Sequence, residues 1–320
     1  MRSSLNNANQ ASLLGGLYCD ADRVSALIAP VEKAMVRKRC SGDHINIVDC
    51  HCDDIGVFVA DVGGLDLNSK ALSGGSPFIA DDITIVPRDW FDRSPDTIES
   101  NVVGIRIGDI LSKQPRRKWG TLILNDDVHI DLAVLSRPVF RGKRVILFAS
   151  GEDVVIEGLW WRRHAISLFE AIAAGGFYAV TGMNFSLFLY ECPLAHLINL
   201  NKSLAFCDEL SKLGVSVVPH VYAVNDYQRT KWVELLDQRP NIQTVTINTQ
   251  LQRDRHSMRE VESTVTELVT KTGVNVVLNG RKPHTDAWTS AWSGRVFMAN
   301  QQGLKKRAII EKAMLSALAY

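Results

Sequence analysis

Glu152-Asp153 places two carboxylates directly behind the apolar run Val145-Ile146-Leu147-Phe148, and polar residues recur in the same kind of place along the second half of the chain. Asn184 and Ser186, His220 and Tyr222, Asn248 and Gln250, and Asn279 and Arg281 each follow a short apolar segment. In parallel α/β architectures, functional groups collect at the carboxyl ends of the strands. Amides, one or two carboxylates and a histidine can transfer protons or stabilise a cationic transition state. Cleavage of a glycosidic bond suits that set. Asp153, with Glu152 beside it, would support an oxocarbenium-like sugar or activate water, while His220 assists the leaving group. Asn184, Ser186, Tyr222, Asn248, Gln250, Asn279 and Arg281 are the substrate-binding candidates. Their amides would read a base, and Tyr222, Trp160 or Trp161 would offer stacking faces. Arg116, Arg117, Lys118, Arg162, Arg163 and Arg253 are the candidates for gripping phosphates of a nucleic acid.

Each of these residues also has a plainer reading. Carboxylates ahead of a helix cap its free N–H groups and favour its dipole. Glu157 reads as an ordinary surface residue of that helix, and Trp160 falls on its apolar stripe. His220 can simply bond a neighbouring backbone group, and the asparagines can be turn formers. Several other chemistries are excluded by motif. The chain has no G-x-S-x-G elbow, no H-E-x-x-H, no G-x-G-x-x-G and no G-x-x-x-x-G-K-[ST]. Cys40, His44, Cys50 and Cys52 are zinc-ligand types. They lack paired C-x-x-C knuckles, and Cys50 and Cys52 would point to opposite faces of a strand. The expectation is incidental thiols, no metal and no cofactor.

The elements that must position these groups become regular from Arg141 onward. Strands are predicted near Arg144–Ala149, Tyr178–Thr181, Val215–Val218, Val245–Ile247, Val274–Leu278 and Val296–Met298. Between them a single helical stripe runs through Ile156, Leu159, Trp160, Ala165, Leu168, Phe169 and Ile172. Further helices are predicted over Leu194–Leu213, Tyr227–Asp237 and Ser257–Lys271, with another at the C-terminus. Earlier, His44–Val59, Ile83–Val86, Val102–Ile107 and Thr121–Leu124 are strand-like. Leu72–Pro77 and the basic stretch Pro115–Trp119 read as turns. Repeated β-then-α units imply a parallel sheet with right-handed crossovers. With seven to nine strands, a (β/α)8-type barrel is favoured over an open doubly wound sheet. The division expected is an N-terminal extension or cap over 1–80 and a βα-repeat barrel-like domain over 81–320.

With 320 residues, 46% hydrophobic and 22% charged, the chain is long and apolar enough for a large globular fold. A net charge of +1 announces neither nucleic acid nor membrane through a whole-molecule field. No apolar run is long enough to span a bilayer, and the first residues make a poor secretory signal. Six cysteines in a chain of this length do not form a disulfide scaffold, so the expectation is a cytoplasmic, non-membrane protein.

Gly151-Glu152-Asp153-Val154-Val155-Ile156-Glu157-Gly158-Leu159-Trp160 resembles the acidic-acidic-x-x-aromatic-or-aliphatic-Glu-x-aliphatic-Trp signature of an uncharacterised domain-of-unknown-function family of phages, mobile elements and their bacterial hosts. Asn184-Phe185-Ser186-Leu187-Phe188 resembles that family's D-F-S-L-Y, followed by Pro193, Asn199 or Asn201, and Gly214 before Val218-Pro219. The family's acid is Asn184 here, whereas Asp153 and Glu157 keep their carboxylates. The barrel rhythm is also similar, more loosely, to the tRNA-guanine transglycosylase fold. The family resemblance carries no activity and implies a phage-related context, such as phage defence. Joined to the reading of the strand-end residues, the expectation is a hydrolase that removes a modified base from DNA. The alternatives are a transglycosylase acting on tRNA and a non-catalytic nucleic-acid- or nucleotide-binding protein of a mobile element.

Overall fold

The computed structural model describes residues 58–118, 121–125, 127–187, 193–250, 252, 255–280, 292 and 294–301. The Cys40, His44, Cys50 and Cys52 cluster, Arg253, Arg281 and the C-terminal helix expected from the sequence lie outside the described residues. In chain order the regular elements are β1 (Ile83–Ile85), β2 (Val102–Arg106), β3 (Arg116–Lys118), β4 (Thr121–Ile123), β5 (Arg144–Phe148), α1 (Asp153–Arg162), α2 (Leu168–Ala174) and β6 (Ala179–Thr181). They continue with α3 (Pro193–Lys212), β7 (Val217–Val218), α4 (Asp226–Asp237), β8 (Thr244–Asn248), α5 (Arg255–Thr272), β9 (Asn275–Asn279) and β10 (Val296–Asn300).

Eight of the strands form one parallel sheet in the order β7-β6-β5-β2-β1-β10-β9-β8, while β3 and β4 form a separate antiparallel hairpin. The sheet nearly closes on itself. Its edge strands meet at a bridge between His220 and Thr246, where Val221 N–H donates to Thr246 O (2.8 Å) and Thr246 N–H donates to Pro219 O (2.9 Å). The result is a (β/α)8-like barrel, the architecture expected from the βα rhythm. The helical crossovers belong to its second half. The connections from β1 to β2 and from β2 to β5 are built instead from short 3-10 turns and the hairpin.

Strand residues alternate between two apolar clusters, as the period of two requires. Ile85, Val102, Ile146, Phe148, Val277 and Ala299 fill the smaller cluster, inside the barrel. Val103, Ile105, Leu147, Val180, Val245 and Leu278 face the larger one, shared with the helices. Burying a side chain such as Phe148 is worth about 2–3 kcal/mol. Below this layer, the segment before β1 seals the N-terminal end. Ser76 Oγ accepts from the N–H groups of Gln243 and Thr244 (2.8 Å each), Thr244 Oγ1 donates to Pro77 O (2.7 Å), and Asn275 Nδ2 donates to Ile79 O (2.7 Å). Thr244 and Asn275 are fully buried, so these partners meet the desolvation cost of polar groups inside a barrel.

Three expectations are corrected. The single helix read through Ile172 is two helices, α1 and α2. Arg163–Ser167 forms the turn between them, Ser167 sits at φ 46°, and Ala165 is exposed rather than on the apolar stripe. The basic stretch read as a turn is strand β3, whose Arg116 and Lys118 pair with Ile123 and Thr121. Phe58 and Val59, read as the end of a strand, are helical.

Gly104 marks how tightly the interior is filled, because a Cβ there would come within 2.7 Å of the Phe148 ring and 3.1 Å of Ile85. Gly104→Ala is therefore expected to cost about 1–3 kcal/mol by overpacking. Gly108→Ala, where a Cβ would meet nothing within 4 Å, is expected to stay near wild type. Urea denaturation of the two variants separates them, and equal midpoints would contradict the packing described.

Candidate functional site

Asp153 is the first residue of α1 and is half-buried. Its Oδ1 accepts a 2.6 Å hydrogen bond from the Ser186 hydroxyl, which ties the β5–α1 connection to the one that follows β6. Glu152 takes the N-cap position in extended backbone, is exposed and makes no capping hydrogen bond with its side chain. Side-chain capping therefore does not explain Glu152, although Asp153 does lie in the first turn, where the helix dipole favours a negative charge.

Behind Asp153, the two halves of the sequence signature meet. Trp160 packs edge-on against Phe185 with ring centroids 5.7 Å apart. Lys202 of α3, only 2% exposed, bonds both carboxylate oxygens of Glu157 at 3.2 and 3.1 Å. Its ammonium also lies 5.0 Å from the Phe185 ring centre and 5.4 Å from that of Trp161. Asn199 Nδ2 donates to Ser186 O (2.9 Å). Glu157 is thus half of a buried ion pair rather than a surface residue, and Trp160 is core, as its stripe predicts. Lys202 went unread because a lysine on an amphipathic helix looks like surface. Its partner lies 45 residues away, with no local signal.

At the barrel mouth the amides bond one another. Asn279 Nδ2 donates to Ser150 Oγ (3.0 Å), Gln250 Nε2 donates to Asn279 Oδ1 (3.3 Å), and Gln250 N–H donates to Asn248 Oδ1 (2.9 Å). β5 and β9 are four places apart in a ring of eight, so the Ser150–Asn279 bond reaches across the mouth. Both residues are 3% exposed. Asn184 is half-buried; its backbone N–H donates to Ala149 O (2.9 Å), which sets it beside the end of β5.

His220 is 5% exposed, with Nδ1 3.2 Å from Thr246 O. A carbonyl only accepts, so Nδ1 carries the proton and Nε2 keeps a lone pair, which is buried without a hydrogen-bond partner. Burial pulls the imidazole down to about 4, opposed by the bond to Thr246. His220 is therefore a neutral group in the barrel seam at pH 7. Tyr222 is half-buried; its hydroxyl receives Gln252 Nε2 at 3.4 Å. With His256, Ser257, Glu260 and Thr264 it lines a cleft between the β7–α4 connection and α5.

The residues expected to grip phosphates fare unevenly. Arg163 is corrected outright. It is 7% exposed, stacks on Trp160 at 3.9 Å, and donates to Asp61 (2.5 Å) and Trp160 O (2.9 Å), so its guanidinium is used inside the fold. Arg162 donates to Asn125 O (2.5 Å). Arg116, Arg117 and Lys118 lie along β3. Among the described residues no group of three or more His, Cys, Asp or Glu is placed to hold a metal ion, and no helix is long and apolar enough to cross a membrane.

No family model and no curated protein matches the chain. Among solved structures, the tryptophan synthase alpha subunit from Campylobacter jejuni is similar at a TM-score of 0.40 and 8% identity, over 69% of this chain and 87% of that one. A citrate synthase variant is similar at 0.39 and 12% identity, over 79% and 97%. An HpcH/HpaI aldolase from Desulfitobacterium hafniense is similar at 0.38 and 6%, over 76% and 93%. These proteins catalyse different reactions, and none assigns a chemistry to this chain.

The folded chain holds His220 neutral down to about pH 4, whereas an unfolded histidine protonates near 6.5. The unfolded state binds the extra proton between those values, so stability falls as pH drops through that window, by on the order of 3 kcal/mol from this group. His220→Gln, which retains a donor for Thr246, is expected to flatten that part of the stability–pH curve measured by urea denaturation. An unchanged slope would locate the titrating group elsewhere. Lys202→Met strands Glu157 and is expected to cost about 3 kcal/mol, part of which Lys202→Met with Glu157→Gln restores. Additive losses in that pair of variants would show that the two side chains do not act together.

Proposed function

We propose that this chain is an enzyme that breaks an N-glycosidic bond in nucleic acid, releasing a modified nucleobase from DNA. The observation that carries the reading is the half-buried Asp153 at the carboxyl end of β5, oriented by the Ser186 hydroxyl at 2.6 Å. A carboxylate in that setting faces a developing oxocarbenium-like sugar or holds the attacking water, and the serine fixes its orientation. Asn184, beside the end of β5, is the amide best placed to meet the base, since Asn248, Gln250 and Asn279 are bonded to one another. His220, neutral and buried, acts in this reading as a support of the seam and not as the acid on the leaving group. A flipped base would stack on Tyr222. The resemblance of the Glu152–Trp160 and Asn184–Phe188 stretches to a phage and mobile-element family supports modified phage DNA as the substrate.

The mutual bonding of the mouth amides favours a second reading, a non-catalytic protein that holds a nucleotide or nucleic acid on the same rim. The two readings differ in product. Plain and modified phage DNA incubated with the protein are analysed for free base by mass spectrometry and for alkali-labile abasic sites. Base release is expected to fall by about 10²–10⁴-fold in Asp153→Ala, the range of a positioned acid–base group, and to survive in Glu152→Ala. Binding without base release on every DNA tested would leave the non-catalytic reading standing.

A further inference from the structure

The carboxyl ends of β1 and β2 carry charge that this reaction leaves unused. Along β2, Val102 belongs to the inner cluster, the Phe148 ring lies over Gly104, and Arg106 stands opposite Phe148 in the β2–β5 register. The alternation of strand residues therefore puts Arg106 on the interior side of the barrel at its C-terminal mouth. It is half-buried, and its Nε is buried with no hydrogen-bond partner. Arg88, three residues beyond β1 on the neighbouring strand, is exposed. Neither arginine joins an ion pair among the described residues.

Asp109, in the 3-10 turn Ile107–Ile110 that follows β2, is close enough to feel both arginines. Burial nevertheless pushes its carboxyl above the usual range, against the weaker pull of Arg106 and Arg88. Among the described residues neither guanidinium has a contact carboxylate. A desolvated guanidinium N–H without an acceptor is costly, and a charged acceptor recovers the most. Two residues beyond Arg106, a Cβ on Gly108 would meet nothing within 4 Å.

The geometry points to a phosphate-binding subsite at the barrel mouth, made by Arg106 and Arg88 on adjacent strand ends. Two guanidinium forks match a group with two negative charges and several acceptor oxygens better than a single carboxylate. The subsite stands whether or not the chain cleaves a glycosidic bond. The phosphate comes either from a small phosphorylated ligand or from a nucleic-acid backbone.

Isothermal titration calorimetry of the full chain at low salt tests it with inorganic phosphate, ribose 5-phosphate and a single-stranded oligonucleotide. At least one probe is expected to bind, and Arg106→Ala and Arg88→Ala are each expected to weaken that binding about tenfold, the loss of one charge-assisted hydrogen bond. Arg106→Lys, which keeps the charge but not the fork, is expected to fall between. Arg137→Ala, which removes an exposed arginine paired with Asp92, controls for net charge and is expected to bind like wild type. Arg88 is exposed, so its variant keeps the test informative if Arg106→Ala fails to fold. Binding of ribose 5-phosphate without the oligonucleotide supports the subsite with a small ligand, and the reverse supports it with a nucleic acid. Equal affinity of wild type and Arg88→Ala for every probe, or binding of none, overturns it. Asp153→Ala is expected to bind the probes normally, so loss of base release and loss of the subsite are read separately.

Discussion

Closure of the barrel depends on a very small piece of pairing, the meeting of Pro219–Val221 with Thr246. β7 has only two residues, and beyond them the sheet is completed by Val221 N–H on Thr246 O and Thr246 N–H on Pro219 O. The segment before β1 takes further backbone groups of these edges, with Val217 N–H donating to Gly75 O (2.8 Å) and Ser76 N–H to Asn241 O (3.1 Å), so that fewer are left unpaired. The Thr246 carbonyl also receives Nδ1–H of His220, so one oxygen takes both a strand bond and a side-chain bond. That arrangement works only with a neutral imidazole, because a second proton on the buried Nε2 would add a charge with nothing to solvate it. The histidine's chemistry is therefore set by the seam it closes.

The same need to satisfy polar groups shapes both ends of the barrel. At the N-terminal end Thr244 and Asn275 are met by Ser76, Pro77 and Ile79, and at the other end Ser150, Gln250 and Asn279 meet one another. In a low-dielectric interior each unbonded group would cost as much as several good contacts contribute. The consequence for function is positional. With the mouth crossed by the Ser150–Asn279 bond, the accessible carboxylate sits to one side, where α1 begins, and the uncommitted arginine Nε lies at the end of β2.

The barrel was legible from Arg141 onward because its strands are continuous apolar runs and its helices are bounded by Gly, Pro and capping residues. Asn225, for instance, caps α4 by accepting from Gln228 N–H, and α3 begins at Pro193. The break between α1 and α2 was not legible, since a run with helical spacing on both sides conceals a turn that rests on one left-handed serine. Composition could not distinguish Arg163 from Arg162 either. Both follow Trp161, but Asp61, which takes the Arg163 guanidinium, is 102 residues away. Strand ends were good guides to which residues gather, and poor guides to which of them remain available. Availability depends on cross-barrel partners such as Ser150 and Asn279, and no short-range pattern encodes these. Arg106 illustrates the point, because it reads as an ordinary end of a strand until the register places it opposite Phe148.

For the proposed reaction it matters that Asn184 is an amide where the resembling family carries an acid. Two-carboxylate glycoside cleavage needs an acid and a base or nucleophile held at a fixed separation. Near Asp153 the other acids are otherwise placed: Glu157 is paired with buried Lys202, and Glu152 is exposed without a side-chain cap. Asn184, tied by its backbone to the end of β5, supplies an amide at the position where a second carboxylate would stand. A rim of this composition suits a reaction in which one carboxylate stabilises a cationic sugar while the leaving group departs with little help. A base with an electron-poor ring leaves that way more easily than an unmodified one. In the proposed reaction the Asn184 amide would hydrogen-bond the departing ring without the repulsion that a carboxylate would bring.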